Sequence, residues 1–442
     1  MSSSEHPRKR SVSDSVKQLS SMSMEAMNTP TTLDMPRRLF HPVTGMPSLT
    51  SLFRDVAELM EQEREITIVY IHMPTSEIVE DRYGWQAHEA YVGMCANFLQ
   101  ATAATLGRSR GGALLMHAFA DDYVLLLPHR SGDEELEAMI AGGVHRHLHA
   151  MDADLASVSK IYVGLETVRG YSRVHNERLV YRGILEASSR AMDIGQRELM
   201  AQARLLDDVL GKRSFVMFYQ PIVTADEARI FGYEALVRCQ VPELRSPLIL
   251  FDIAERSGRI RPLNRALRAI SVEPFPDLPA PEFMFINLHV DDFSDPQMLN
   301  PPKAMLDYSD RIVLEVTERA AIQNMDAFRK NLQVMRDHGF RIAIDDLGSG
   351  YSALNTLADI VPEYIKLDMA LIRGIDTNPV RQNLVRNMRA FADDLGVKVV
   401  AEGVETKGEY HTVRELGCHL IQGYYFARPA EAFVRELEHD TK

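Results

Sequence analysis

The sequence predicts an α/β protein in which a closed, TIM-like (β/α) barrel fills the C-terminal half and a smaller α+β domain precedes it. Three observations carry this. From about residue 203 onward, short apolar runs of strand length alternate with helical patterns, and so many units in about 240 residues suggest closure into a barrel. From residue 41 to about 202 the pattern is mixed, with a hairpin at its centre, which suits a small antiparallel sheet with helices. Finally, the apolar run Arg341 to Asp345 ends in the pair Asp345-Asp346, followed by Gly348 and Gly350, so a strand delivers carboxylates to a permissive loop.

Taken in order, residues 1–40 are rich in Ser, Met, Thr and Pro, carry the cluster Arg8-Lys9-Arg10, and show no sustained period, as expected of a disordered tail. Basic runs in such tails are ordinarily solvated, and no chemistry is assigned there. In residues 41–202, helices are expected at Leu52 to Glu63, Ala87 to Leu106 and Leu179 to Ala201, with strands at Ile66 to Ile71 and Val158 to Leu165. The hairpin pairs Ala113 to Phe119 with Tyr123 to Leu127 across the acidic turn Ala120-Asp121-Asp122. In residues 203–442, strands are expected at Val216 to Tyr219, Arg229 to Leu236, Phe283 to Leu288, Arg311 to Val316, Arg341 to Asp345, Tyr364 to Leu367, Val397 to Ala401 and Leu420 to Tyr424. Helices such as Asp326 to His338 and Pro379 to Leu395 separate them, which predicts parallel strands.

Composition narrows the function classes. A net charge of -13 argues against sequence-independent nucleic-acid binding but leaves room for a local basic pocket for a small phosphorylated ligand. Cys95, Cys239 and Cys418 are widely spaced, which suggests neither a disulfide framework nor a structural zinc site. No run is long and apolar enough to span a bilayer, and the first residues are too polar for a secretory signal, so a cytoplasmic protein is expected.

The strand ends hold the chemistry. They carry Glu234 in YEAL, Asn287 in FINL, Glu315 in VLEVTE, Asp345 and Asp346, Lys366 in YIKLD, Glu402 in VVAEGVE and Gln422 in IQGYY. Any one of these is ordinarily a cap, an ion-pair partner or a solvated rim residue. Gathered in one barrel mouth, so many carboxylates are costly unless oxygen-seeking cations bind among them, and two divalent ions are the natural expectation. Paired ions stabilise the attacking and leaving oxygens at phosphorus and lower the pKa of a water, which points to phosphoester hydrolysis.

These residues, over about 206–435, resemble the EAL family of cyclic di-GMP phosphodiesterases. Tyr219-Gln220-Pro221-Ile222-Val223 leads to Glu234-Ala235-Leu236-Val237-Arg238, then Asn287, Glu315-Val316-Thr317-Glu318, Asp345-Asp346-Leu347-Gly348-Ser349-Gly350, Lys366, Glu402-Gly403-Val404-Glu405 and Gln422-Gly423-Tyr424. The resemblance implies that Glu234, Asn287, Glu315 and Asp345 ligate one Mg²⁺ or Mn²⁺, with Asp345, Asp346 and surrounding groups serving the second. It implies Glu402 as ligand or general base, Lys366 as the cation that orients water or stabilises charge on phosphorus, and Gln422 as a positioner of water. Gln220, Leu236, Arg238, Lys366 and Glu405 would contact substrate, while Glu318 would steady the loop Leu347 to Leu354, which the family uses to link metal binding to dimerisation. The implied product is linear pGpG and the implied assembly a homodimer. The alternatives are a receptor that holds cyclic di-GMP without cleaving it, and a scaffold that binds no ligand. Leu347, Cys239 and His289 depart from the family's usual Phe, Trp and Ser, and none removes a charged catalytic group. His289 shares the face of Asn287 under strict alternation, and Tyr424 and Tyr425 are expected as barrel packing.

The preceding domain resembles, in the order of its fragments, the GGDEF family of nucleotidyl cyclases. The segments are His41-Pro42-Val43-Thr44-Gly45-Met46-Pro47, Arg82-Tyr83-Gly84 and the hairpin Phe119-Ala120-Asp121-Asp122-Tyr123. Phe119 and Ala120 replace both signature glycines, Asp122 replaces a glutamate, and Ile71-His72-Met73 lacks the first metal-binding aspartate. This implies a regulatory rather than cyclising domain, with residual GTP binding left open.

Overall fold

The computed structural model describes residues 40–437 except 64, 77–78, 81–83, 111, 129–132, 152–155, 157–158, 171–175, 318–324 and 348–359. All but the last residue of the expected tail, together with Arg82, Tyr83, Glu318 and all of the expected loop after Leu347, therefore lie outside the described residues. The chain divides into two compact units between Met200 and Ala201.

The first unit runs α1 (Phe53–Gln62), β1 (Glu65–His72), α2 (Trp85–Arg110), β2 (Leu114–His117), β3 (Tyr123–Pro128), α3 (Asp133–Met151), β4 (Tyr162–Arg169) and α4 (Asn176–Lys212), the last continuing past the division. Its four strands form an antiparallel sheet in the order β2-β3-β1-β4. Central β1 is buried on both faces, Val69 and Ile71 against one apolar cluster and Ile66, Ile68 and Tyr70 against another. Burial on both faces is why this strand reads as a continuous apolar run rather than an alternating one. The strand expected from Val158 to Leu165 instead occupies Tyr162–Arg169, where it pairs residue for residue with β1. Helix α3 has no counterpart in the sequence reading, because Gly142 and Gly143 weaken its helical pattern. Packing explains one of them: a Cβ on Gly143 would lie 2.4 Å from the Phe98 ring on α2.

The second unit is the expected barrel. Strands β5 (Phe215–Thr224), β6 (Ile230–Cys239), β7 (Phe283–Leu288), β8 (Ile312–Thr317), β9 (Arg341–Leu347), β10 (Tyr364–Leu367), β11 (Lys398–Ala401) and β12 (Leu420–Gln422) close in chain order, with β12 returning to β5. Its longer helices are α5 (Pro247–Arg256), α6 (Ile260–Val272), α7 (Met325–Asp337), α8 (Pro379–Asp394) and α9 (Lys407–Glu415). One expectation is corrected: β5 runs antiparallel to both β6 and β12. The connection 225–229 is a short turn, and only antiparallel strands can be joined by one.

Ile222, Phe285, Val313, Ala343, Tyr364, Val400 and Leu420 form an apolar layer inside the barrel, one from each strand except β6. Strand β6 contributes Gly232, which pairs with Ile222 and Phe283 and whose added Cβ would meet the Phe283 carbonyl oxygen at 2.4 Å. Backbone cannot rotate away as a side chain can. Gly232→Ala is therefore expected to cost about 1–3 kcal/mol, read as a lower urea midpoint at unchanged slope.

Candidate active site

Two positions beyond the apolar layer on each strand, the same inward face turns polar. Because side chains alternate along a strand, Ile222, Gly232, Phe285, Val313, Ala343, Tyr364 and Leu420 specify Gln220, Glu234, Asn287, Glu315, Asp345, Lys366 and Gln422 as the next ring, which Glu402, one residue past β11 and paired with Lys366, completes. For antiparallel β5 the step runs backward to Gln220, so all eight residues stand at one barrel end.

Lys366, only 1% exposed, is the hub of this ring. Its Nζ lies 2.6 Å from Glu402 Oε1, 2.7 Å from Glu315 Oε1, 3.4 Å from Asp345 Oδ1 and 3.7 Å from Glu234 Oε2. Asn287 Nδ2 donates to Glu234 Oε1 at 3.0 Å, and Gln422 Nε2 donates to Glu234 Oε2 at 2.6 Å and to Gln220 Oε1 at 3.0 Å. The contact between Glu315 Oε1 and Lys366 is an ion pair without hydrogen-bond geometry, and Glu315 Oε2, also buried, has no hydrogen-bond partner.

One ammonium does not balance four carboxylates, of which Glu234 and Glu315 are buried and Asp345 and Glu402 half-buried. Burial pushes the Glu315 and Glu402 carboxyls well above the ordinary glutamate range, and nearby Glu234 and Asp345 add to the shift although Lys366 opposes it. Burial also acts on Glu234, but Lys366 and the amides of Gln422 and Asn287 outweigh it and hold that carboxyl below the ordinary range. Burial disfavours the Lys366 ammonium, yet the four carboxylates hold its pKa well above that of a free lysine. Among the described residues, no three Asp, Glu, His or Cys side chains are arranged to hold an ion as they stand. The donor set nevertheless fits hard divalent cations: oxygen ligands only, excess negative charge, and a buried carboxylate oxygen left without a partner.

The remaining expected residues divide. Leu236 and Arg238 continue the inward face of Glu234 toward the mouth, with the Arg238 guanidinium 5.5 Å from the Phe218 ring centroid. Glu405 forms an ion pair with Arg373. Asp346 continues β9 by its backbone, and its side chain lies outside the described atoms. Leu347 and Cys239 are buried in the apolar core around the barrel. His289 turns away from the ring: its Nδ1 accepts from Asp291 N, so Nε2 carries the proton donated to Glu255 Oε1 at 2.9 Å. Tyr425 is buried, but Tyr424 is 40% exposed beneath the Arg428 guanidinium, which corrects its expected packing role.

A supporting cluster was not read from the sequence. Arg268 on α6 pairs with Asp292 and Asp295, and Arg265 pairs with Asp295 at 2.6 Å, fixing the turn that follows Asn287. Its only sequence signal is the run of aspartates Asp291, Asp292 and Asp295 after the strand, and that run does not reveal the partner arginines.

Residues 202–429 match the family profile described as EAL domain. The cyclic di-GMP phosphodiesterase PdeR of Escherichia coli K12 is 33% identical over 240 residues, which cover 52% of this chain and 36% of PdeR. MucR of Pseudomonas aeruginosa, a bifunctional diguanylate cyclase/cyclic di-GMP phosphodiesterase, is 25% identical over 403 residues, covering 85% of this chain and 57% of MucR. The chain thus spans between about a third and just over half of these relatives. The solved S helix-GGDEF-EAL portion of Vibrio cholerae LapD, bound to c-di-GMP, is similar in fold, with a TM-score of 0.50 at 12% identity over 92% of this chain and 99% of that one.

Proposed function

For this chain, which belongs to the EAL domain family, we propose metal-dependent hydrolysis of cyclic di-GMP to linear pGpG as its activity. The observation that carries the reading is the ring of buried and half-buried carboxylates around Lys366, with an excess of negative charge that oxygen-seeking cations would balance. Glu234, Asn287, Glu315, Asp345, Asp346 and Glu402 would hold two ions, Mg²⁺ or Mn²⁺. Bound there, such ions supply Lewis-acid stabilisation of charge at phosphorus and a lowered water pKa.

The chain's own groups do the rest. Where it does not serve as a ligand, Glu402, in contact with Lys366, would take a proton from water. Lys366, kept charged by its neighbours, stabilises negative charge growing on the phosphoryl oxygens. Gln422 and Gln220 are hydrogen-bonded to each other and orient water and substrate, while Arg238, Leu236 and Glu405 form the outer substrate contacts. Glu318 would steady the loop after Asp346.

The first unit is proposed as a regulatory, GGDEF-like domain. Its Asp122 carboxylate is already engaged: Tyr70 Oη donates to it at 2.8 Å, Met73 N at 2.8 Å, and His72 Nδ1 lies 3.0 Å away. GTP bound there would meet a carboxylate whose partners are internal, so no cyclisation of GTP is expected. Homodimerisation through the barrel and cytoplasmic residence belong to the same proposal, the first checked by sedimentation. Among the described residues no helix is long and apolar enough to cross a membrane.

The test is conversion of cyclic di-GMP by the purified chain with Mg²⁺ or Mn²⁺, repeated with a chelator and with Glu402→Gln. Turnover is expected to vanish with the chelator and to fall by about 10²–10⁴-fold in the variant. Tight binding with no product in either metal would replace the hydrolase by the receptor reading.

A further inference from the structure

The β10–β11 ladder sets Lys366 beside Val400, and Glu402 N donates to Leu367 O at 3.1 Å; one buried side chain outside the ring joins the two loops that follow these strands. Lys366 is followed by Leu367, Asp368, the short helix Met369–Ile372, and Arg373-Gly374, while Glu402 is followed by Gly403-Val404-Glu405 and then α9. Glu409, on the first turn of α9 and 3% exposed, accepts at Oε2 from the backbone N–H groups of Glu405 at 2.8 Å and Thr406 at 3.1 Å. Its other oxygen, Oε1, accepts from Gly374 N at 2.8 Å.

The bond to Thr406 N is half of a capping box, completed by Glu409 N donating to Thr406 Oγ1 at 3.2 Å. A capping box alone does not require the bond to Gly374, which lies 35 residues away on the other loop. The Arg373–Glu405 ion pair ties the same two loops a second time. We propose that Glu409 is a positioning residue for the phosphodiester hydrolysis: its carboxylate bridges Gly374 to Glu405 and so fixes Glu402 against Lys366. This rests on the hydrolase reading above. Each oxygen serves a different loop, so a side chain with one acceptor cannot replace it, nor can a shorter one reach both.

The test compares the full chain as wild type, Glu409→Gln, Glu409→Asp and Thr406→Ala. Glutamine retains one acceptor, aspartate retains both oxygens on a shorter arm, and Thr406→Ala removes the cap of α9 while leaving the bridge. Thermal midpoint, kcat and KM for cyclic di-GMP with Mn²⁺, and cyclic di-GMP affinity under chelator are measured for each. Thr406→Ala is expected to lower the midpoint with kcat and KM unchanged. The two Glu409 variants are expected to lose about 10- to 10²-fold in kcat and to bind cyclic di-GMP more weakly under chelator, beyond anything their midpoints explain. If either folded Glu409 variant matches Thr406→Ala in kcat and affinity, Glu409 is a cap and nothing more. A wild type that binds but makes no product ends the hydrolase reading and this positioning role in hydrolysis with it; the affinity series then reports only whether the bridge shapes the ligand site. A wild type that neither binds nor cleaves overturns both.

Discussion

Lys366→Met is expected to destabilise the chelator-treated protein by about 3–5 kcal/mol near neutral pH, because it leaves buried Glu234 and Glu315 beside half-buried Asp345 and Glu402 with no ammonium in reach among the described residues. Methionine keeps the length and the apolar stem, so the loss reports charge rather than packing. The pH dependence has a definite sign. Glu315 and Glu402 have folded-state pKa values raised above the unfolded glutamate value of about 4.3. Groups raised in this way contribute stability that is complete below that value and is lost as pH rises through the folded value. The variant should therefore recover midpoint as pH falls toward 4, about where glutamates protonate, and also on addition of Mg²⁺ or Mn²⁺ near neutral pH. Urea midpoints with and without the ions check this. A variant as stable as wild type in chelator near neutral pH would show that the carboxylates are balanced by something other than Lys366.

The second large effect lies away from the ring. Arg268→Leu is expected to cost about 3–5 kcal/mol, since Asp292 at 1% exposure loses its guanidinium and Asp295 at 0% keeps one of its two, Arg265. Adding Asp292→Asn should restore much of the loss: the neutral amide still accepts from His289 N, as Asp292 does at 2.9 Å, without a buried charge. Arg265 holds the Asp295 carboxyl well below the ordinary aspartate range, with Gln297 N and Arg268 assisting against burial. That contribution is present above about pH 4 and is lost as pH falls toward the depressed folded value, so the wild type should lose this part of its stability in acid. Because the cluster fixes the turn after Asn287, Arg268→Leu should also lower turnover. Denaturant midpoints of the single and double variants decide the matter: no recovery in the double variant would mean that the turn, not the buried charge, sets the cost.

Much of the barrel was legible because its signals are local. Each of the eight apolar runs became a strand, and on the seven parallel ones the polar residue at or just past the carboxyl end joins the ring that alternation along a pleated strand predicts. Several features resisted for identifiable reasons. The direction of β5 depends on how short the connection 225–229 is, a feature the strand-and-helix rhythm does not display. His289 shares the parity of Asn287, but the strand ends at Leu288, and beyond it alternation no longer governs where a side chain turns. Tyr424 likewise lies past the end of β12. The Thr406-Lys407-Gly408-Glu409 spacing announces a capping box, yet the bond to Gly374 joins two loops that no local pattern connects.

By itself the sequence determined which residues stand at the strand ends, because period-two alternation and apolar runs are properties of a few neighbouring positions. Only the tertiary structure decided which of those residues touch Lys366 and how each is charged. Barrel closure brings Glu234 and Gln422 within 2.6 Å across 188 positions and buries Glu234, Glu315 and Lys366. Desolvation and charge–charge coupling depend on distance in space, so Glu234 is held low while Glu315 and Glu402 are driven high, although all three are the same residue type at equivalent strand ends.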